Sequence, residues 1–584
     1  EVFAAGGFDV VLGNPPWEQL QFDDREFFAA THPEIVQAAN MAQRKRLLSD
    51  LLKHDADLLR DYTDAVHQVA STQKFIHGSS RYPLTSFGRL NLAPLFAETA
   101  TQLINKSGRV GQIVPTGIAT DAFNQYFFQN LVDQGRLVSL YDFENRRGIF
   151  PEVHRSYKFC LLTMTGTARP AHAAEFAFFC HHASDLNDPQ RRFTLSPDDL
   201  RLLNPNTRTA PICRSRRDVE LVKHIYRRVP VLVNEGKGEA GNPWGFTGML
   251  MFMMNTDSYH FRTFQQLTSE GFRLEGNIFV RGNERYLPLY EAKMIHQFDH
   301  RFGDYHDLPP RSKSTELPEV PLDRLQDPNY RVLPRYWVPE AEVETRLRAK
   351  GWDRGWLLGW RDVARSTDQR TVIAAVIPRV GVGHTFLLML PHIPCQAKSL
   401  VASCDSCVLD YCARQKVGGT SLKYFTMKQL PFLPPATFDR PCPWSPGETL
   451  ADFLRPRVLE LTYTAWDLEP FARDLGYTGP PFRYDPERRA VLRAELDAAF
   501  FHLYLGSPEE WQREAPASLR ELFPTPREAV DYILEQFPIV RQHDEERYGE
   551  YRTKRMILEI YDAMQESIRT GIPWQSKLVP GGEG

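Results

Sequence analysis

Asn14, Pro15, Pro16 and Trp17 follow an apolar run, Phe8 to Leu12, in the stretch FDVVLGNPPWE. Their types suit the capture of an amine attached to an aromatic ring. Such an amine, adenine N6 for instance, is a poor nucleophile because its lone pair is delocalised into the ring. Two acceptors that hold both N–H bonds draw the nitrogen toward sp³ geometry and strengthen it. The Asn14 amide oxygen and a backbone carbonyl supply two acceptors, and proline keeps that carbonyl in place because its φ is locked. Trp17 offers a face on which a base pulled out of its helix stacks. The plain alternative is a strand followed by a proline-rich turn with a surface tryptophan. The apolar strand before the motif and the sheet pattern after it weigh against that alternative.

A second group of residues suits phosphate. Residues 201–228 carry Arg201, Arg208, Arg214, Arg216, Arg217, Lys223, Arg227 and Arg228 against Asp218 and Glu220, eight bases against two acids. WRDVARSTDQRT places Arg361, Arg365 and Arg370 among Ser and Thr hydroxyls, a common phosphate-contacting set. RQKVGGTSLKYF adds Lys416 and Lys423 around Gly418 and Gly419, where backbone can approach a phosphate. The candidate contacts are Arg214, Arg216, Arg217, Arg361, Arg365, Arg370, Lys416 and Lys423. For any one patch the alternative is a solvated charged face.

Metal chemistry is not expected. Cys404 and Cys407 form one CxxC with Cys412 nearby, whereas a structural zinc site needs two such pairs or a CxxC with a His pair. The segment LVASCDSCVLDYCARQ reads as small, half-buried residues on a helix. His181 and His182 follow Cys180 without a second ligand pair and read as structural or surface residues. There is no P-loop and no nuclease cluster of the PD…(D/E)xK kind.

The elements that position the motif read as an α/β sheet. Residues 8–12 have the continuous apolar pattern of a strand buried on both faces. Residues 33–76 follow a helical period. Val110 to Val114, closed by Pro115, gives a second strand, 136–145 a third and 157–166 a fourth. Helical connections before the second and third strands make parallel neighbours. Only residues 146–156, with Gly148 and Pro151, separate the third strand from the fourth, so that pair is expected to be antiparallel. In open α/β sheets ligands bind at the carboxyl ends of strands, where Asn14 stands.

After about residue 168 prolines cluster and the strands become short and irregular. From about 446 the helical period returns, with Leu492, Leu496, Ala499, Phe500 and Leu503 on one helix and Met556, Ile557, Ile560, Tyr561 and Met564 on another. The expected organisation is a catalytic α/β domain over 1–168 with a helical insertion at 18–90, an α+β domain over 169–445 and a helical region over 446–584.

The chain has 584 residues, 42% hydrophobic and 24% charged, with a formal net charge of -3, ordinary for a soluble globular protein of two to four domains. No global charge announces nucleic acid, although a cleft can be locally basic. No apolar run is long enough for a membrane helix, so no membrane partner is expected. Eight cysteines in this length fit a reducing compartment.

FDVVLGNPPWE resembles the target-amine motif of class I, S-adenosylmethionine-dependent adenine-N6 DNA methyltransferases. The segments LAPLFAETATQLINKSGRVGQIVPTGIATD, SLYDFENRRGIFPEVHRSYKFCLL, GWRDVARSTDQRTVIAAVIP and ARQKVGGTSLKYFTMKQLPFLPP look like the large single-chain, type IIG-like methylases of restriction–modification and phage-defence systems. The resemblance runs from residue 1 to about 565. It implies a doubly wound, Rossmann-like methyltransferase sheet ending in an antiparallel hairpin, followed by a target-recognition domain at 169–445.

It also implies site-specific methylation of adenine N6 in double-stranded DNA by base flipping. S-adenosylmethionine would be the donor. Asn14 and the Pro15 carbonyl would hold the amine, Pro16 would stiffen the turn and Trp17 would stack on the adenine. Asn14 would also meet the cofactor. The family usually has Tyr or Phe where Trp17 stands, and Trp stacks at least as well. The expected location is the bacterial cytoplasm, on DNA.

One departure bears on the cofactor. The family's Gly-rich turn and the acidic residue of the next strand lie upstream of this motif. Here only thirteen residues precede Asn14, and Gly6–Gly7 is not that turn. The chain therefore reads as the C-terminal part of a longer enzyme, with the main donor site upstream and an N-terminal nuclease or methylase portion, or partner defence proteins, completing the system. Expressed alone it is expected to bind duplex DNA without methylating it. Two other readings stand beside this one. The same amide-holding motif serves methylases of protein glutamine or RNA, and the chain by itself would also serve as a DNA-recognition module without activity of its own.

Overall fold

The computed structural model describes all residues except 1, 5, 39–40, 309–316 and 579–584, and leaves out the side chains of residues 41 and 42. The chain divides into two compact units, 1–216 and 217–584.

The first unit is built on one six-stranded sheet: β1 (Phe8–Gly13), β2 (Ile104–Pro115), β3 (Leu137–Glu144), β4 (Lys158–Thr165), β5 (Ala174–Cys180) and β6 (Phe193–Leu195), in the spatial order β1-β2-β4-β3-β5-β6. β1 and β2 are parallel, and β4 is antiparallel to both β2 and β3. β3 and β5 are parallel. The expected antiparallel pair is present, but β4 lies between β2 and β3, so these two are aligned without being neighbours. The connection over 145–157 is long enough to carry the chain back through the gap the helical crossover leaves. The sheet also runs on past the boundary expected at 168, because β5 and β6 add to its far edge.

Helices α1 (Met41–His54) and α2 (Ala56–Gly78) fill the connection between β1 and β2, and α3 (Leu92–Leu103) leads into β2. Asp55 caps α2 by accepting from Leu58 N at 2.8 Å, and Asn91 caps α3 by accepting from Ala93 N at 2.9 Å. The α3 face carrying Ala93, Leu95, Ala97 and Ala100 is buried. A fourth helix, α4 (Gln125–Asp133), precedes β3 and buries Phe127, Phe128, Leu131 and Val132.

β1 departs from expectation. Its pattern forecast burial on both faces, yet Val10 is 64% and Leu12 83% exposed. β1 pairs with β2 on one side, and among the described residues no strand pairs with its other side. An apolar strand is buried only where other elements cover it, and here the covering is incomplete.

Besides a two-stranded pair, Pro441–Cys442 with Ser445–Thr449, the second unit holds two larger sheets among the described residues. One contains β7 (Thr247–Met249), β12 (Trp356–Arg361), β13 (Ala374–Pro378) and β15 (Phe386–Leu390), ordered β13-β12-β15-β7. The other contains β8 (Arg273–Glu275), β9 (Ile278–Arg281), β10 (Glu284–Tyr290) and β11 (Trp337–Pro339), with β14 (Gly381–Val382) also on β10. Part of the proline-rich stretch 307–325 lies outside the described residues.

Helix α5 (Arg216–Arg228) opens this unit, and α6 (Ala397–Asp405) and α7 (Cys407–Arg414) break at Ser406, whose hydroxyl caps α7. Cys404, Cys407 and Cys412 are fully buried rather than half-buried, and burial pushes all three thiols up. The C-terminal helices include α8 (Leu450–Thr462), α9 (Pro486–Leu505) and α10 (Arg552–Thr570), the last two where the period placed them. Among the described residues no helix is long and apolar enough to cross a membrane, and no group of three or more His, Cys, Asp or Glu could hold a metal ion.

Candidate active site

β1, β2, β3 and β5 run in one direction, so Gly13, Pro115, Glu144 and Cys180 end at the same edge of the sheet, where antiparallel β4 begins at Lys158. The motif sits on this edge. Asn14 and Pro16 are exposed, and Pro15 and Trp17 are half-buried.

Trp17 is held from several sides. Its indole Nε1 donates to Ile113 O on β2 at 3.2 Å. Its ring stacks near Phe159 of β4, centroids 6.4 Å apart with 29° between planes. Phe143, Phe159, Ala177 and Cys180 form the buried cluster beneath it. The backbone that follows is stapled to the start of α3. Asn91 Nδ2 donates to Trp17 O at 2.8 Å, Leu92 N to Glu18 O at 3.0 Å and Leu20 N to Leu90 O at 2.9 Å. The strand end therefore presents an exposed amide beside an aromatic ring of fixed plane.

Sequence reasoning missed the groups around this edge. Glu144, at the end of β3, meets Lys158 Nζ at 3.2 Å, His181 Nε2 at 3.0 Å and Arg146 Nε at 3.3 Å. Burial works against its charge, but the His181, Lys158 and Arg146 side chains hold its carboxyl below the usual range. His181, expected to be structural or surface, is thus one of its hydrogen-bond partners. Behind it Asp142 is 1% exposed, accepts from Thr116 Oγ1 and takes Phe179 N at 2.9 Å. Burial pushes the Asp142 carboxyl up.

The register slips between β3 and β5 at this point, and Phe179 takes a φ of 56°. A left-handed bulge at a bulky residue is strained, and here the Asp142 hydrogen bond holds it. The bulge turns the Phe179 ring to lie under Lys158 Nζ, 4.0 Å from its centroid, and under the Arg214 guanidinium at 3.9 Å. The buried Asn145 locks the following loop. Its Nδ2 donates to Phe150 O at 2.9 Å and Val153 O at 2.7 Å, and its Oδ1 accepts from Phe150 N at 2.9 Å. This places Phe150 edge-on to Phe159 at 5.0 Å. The signal for these groups was present in DFEN, where three polar residues interrupt an apolar strand.

The candidate phosphate contacts separate into used and available groups. Arg370 is a core residue, 6% exposed, paired with Asp410 at 3.1 Å and donating to Cys407 Sγ at 3.0 Å. It cannot serve as a surface contact, because its guanidinium already answers a buried carboxylate. Arg361 is half-buried, donates to Ile295 O and is pulled down to about 10 by burial. Arg217 donates to Leu522 O at 3.2 Å and lies over Phe523 and Tyr532. Lys416 lies over Tyr226 at 4.7 Å.

Some of the bases over 201–228 pair with acids from elsewhere in the chain. Asp133 takes Arg201 and Arg208, and Glu510 and Glu514 take Arg228. Arg216 is exposed. The two loops at 362–371 and 416–423 do come together. Val363 bridges Ser421, Ala364 N donates to Thr420 O at 3.1 Å and Leu422 N to Asp362 O at 2.7 Å. Arg365, Gly419 and Lys423 are exposed on this pair of loops, with Lys423 Nζ on Asp362.

No protein-family model matches the sequence, and no curated protein matches it. Solved structures do show likeness. The type IIL restriction–modification enzyme MmeI in complex with DNA is 11% identical at a TM-score of 0.32, over 84% of this chain and 55% of that one. A DrdV–DNA complex is 11% identical at 0.31, over 97% and 57%. A modification subunit of a putative type I restriction enzyme from Vibrio vulnificus YJ016 is 15% identical at 0.17, over 20% and 31%. The chain thus spans less than two thirds of each of these proteins. At such identities and TM-scores the likenesses carry no inference about the chemistry of this chain.

Proposed function

We propose that this chain carries the target-amine site of an S-adenosylmethionine-dependent, adenine-N6 DNA methyltransferase acting in a restriction–modification or phage-defence system. The observation that supports this reading most is the placement of Asn14-Pro15-Pro16-Trp17. The motif follows the carboxyl end of a strand, with the amide exposed and the indole plane fixed by Ile113 and Phe159.

In this reading the flipped adenine lies along the Trp17 ring. The Asn14 amide oxygen and the Pro15 carbonyl would accept hydrogen bonds from the two N6–H groups, drawing the nitrogen toward sp³ geometry and making its lone pair more available. S-adenosylmethionine supplies the methyl group when bound. The described residues around Asn14 do not enclose such a donor, since Asn14 and Pro16 are exposed and the outer side of β1 is unpaired among them. Arg365 and Lys423, on the joined loops of the second unit, are the candidate contacts to DNA phosphate.

The test is made where the native gene works. With Asn14→Ala introduced at the chromosomal locus, single-molecule sequencing of host DNA reads modified adenines directly. Loss of one positioned transition-state contact costs about a hundredfold or more in methyl transfer. DNA affinity changes little, because phosphate contacts dominate it. Adenine modification at the wild-type level in the variant would refute the assignment.

A further inference from the structure

The second unit contains a cavity of about 500 Å³ that the reading above does not use. It lies between the loop at 296–302, α9, the helix Pro538–Tyr548 and the first turn of α10. A volume of this size suits a small organic ligand. Five arginines line it: Arg370, Arg489, Arg493, Arg547 and Arg552.

Three of the five are committed. Arg370 pairs with Asp410, Arg489 donates to Leu461 O at 2.6 Å, and Arg552 pairs with Glu487 at 2.5 Å. Arg493 is not committed in this way. Among the described residues its one hydrogen bond is from Nη2 to Gln297 Oε1 at 3.3 Å. The Gln297 amide is itself fixed, since its Nε2 donates to Val372 O at 3.0 Å and Asp405 O at 3.3 Å. A guanidinium carries five N–H donors, so most of those on Arg493 remain for a ligand.

The surroundings raise the demand for an anion. Burial, together with the charges of Arg370 and Arg489, pulls the Arg493 guanidinium down against the opposing pull of Asp497 and Asp405. Burial and the neighbouring Arg361, Arg493, Arg370 and Arg489 pull His296 well down, so its imidazole faces the cavity uncharged. Three of the four carboxylates of the wall already hold protein donors. Asp299 takes the Tyr484 hydroxyl at 3.1 Å, Asp497 takes Cys407 N at 2.6 Å and Asp544 takes Thr553 N at 2.6 Å. Arg547 and Tyr548 stand exposed at the rim, the guanidinium 5.2 Å from the ring centroid. Arginine forks match phosphate oxygens in pairs, and the carboxylates can still accept from hydroxyl or amino groups.

We propose that this cavity binds a small phosphate-bearing ligand of mononucleotide size, with Arg493 on the phosphate from the wall and Arg547 from the rim. The site is independent of methyl transfer, and its test does not use that activity. Thermal unfolding and calorimetry of the whole chain are run with inorganic phosphate, adenosine 5′-monophosphate, adenosine and a short DNA duplex.

A ligand that binds only the folded state raises the melting temperature, by about 1–3 °C at tenfold excess over Kd for a protein of this size. The rise is expected with the monophosphate and absent with adenosine. Arg493→Gln is expected to weaken binding at least tenfold. Arg547→Gln, on an exposed side chain, is expected to weaken it severalfold without changing the unliganded melting temperature, and Arg541→Gln, outside the cavity, to leave binding unchanged. A rise with phosphate equal to that with the monophosphate assigns the site to the free anion, and a larger rise with the monophosphate assigns it to the nucleotide. The second upholds the proposal, and the first overturns it, since nothing beyond the anion is then held. No saturable binding of either, or binding unaffected in both Arg493→Gln and Arg547→Gln, overturns it. Binding of the duplex alone, lost in Arg547→Gln, overturns it in favour of a DNA backbone contact.

Discussion

At the scale of single residues, the site turns on how firmly one ring is held. Trp17 is tied by its indole N–H to Ile113 and by its face to Phe159, so its plane is set before any base arrives. Stacking of a base on such a ring is worth roughly 1–3 kcal/mol. Trp17→Ala is expected to lower the 2-aminopurine fluorescence that reports flipping at the target position, and Trp17→Phe to retain most of it. An unchanged signal in Trp17→Ala would show that no base stacks there. The arginines make a second contrast. Arg365→Ala is expected to reduce the salt slope of DNA binding by about one and leave stability unchanged. Arg370→Ala leaves Asp410 with Arg414 as its one ion-pair partner among the described residues and is expected to cost about 1.5–3 kcal/mol in urea unfolding. Equal stability loss in both variants would contradict this division.

At the scale of elements, β1 shapes the behaviour of the first unit. It carries Phe8, Val10 and Leu12 at 39%, 64% and 83% exposure and pairs on one side only among the described residues. Exposed apolar edges of this kind recruit other chains, and lysine blunts them. The double change Val10→Lys with Leu12→Lys is expected to suppress concentration-dependent association in sedimentation velocity. Association unchanged by the two lysines would place the adhesive surface elsewhere. The neighbouring strands behave differently because β4, inserted between β2 and β3, is covered on both edges. It delivers Lys158 and Phe159 to the carboxyl edge where β3 delivers Glu144.

At the scale of the whole molecule, two buried histidines tie stability to pH. His224 packs against Trp511 at 4.7 Å, and His502 lies flat on Tyr561 at 3.9 Å with its Nε2 3.0 Å from Tyr561 O. Burial pulls both down to about 4. In the unfolded chain each titrates near 6.5. Between these values the unfolded state holds more protons than the folded one, so stability falls as pH drops from about 6.5 toward 4 and levels below that. The loss is roughly 3 kcal/mol per histidine over the window. Melting temperature measured from pH 7 to pH 4 is expected to fall along this limb, and more gently in His502→Phe. A limb equally steep in that variant would assign it to other groups.

Several features were legible in the sequence because they depend on neighbours along the chain. The strand at Phe8–Gly13, the motif at its end, the antiparallel β3–β4 pair and helices α9 and α10 all follow from local period, turn residues and short connections. Other features required the fold, because burial and pairing are decided by whichever element covers a residue. Arg365 and Arg370 stand in one polar string, yet one is exposed and the other is sealed against Asp410 on α7. The apolar pattern of β1 reads as burial on both faces, yet Val10 and Leu12 are exposed. Glu144, Lys158 and His181 meet only because β3, β4 and β5 bring their ends to one side of the sheet. Arg493 reads in sequence as one charge on a helix face, and the packing around α9 turns that charge toward a cavity. Sequence alone thus located the motif and its strand, and tertiary structure chose its partners, since side-chain charge is local while the dielectric and the counter-charge around it are not.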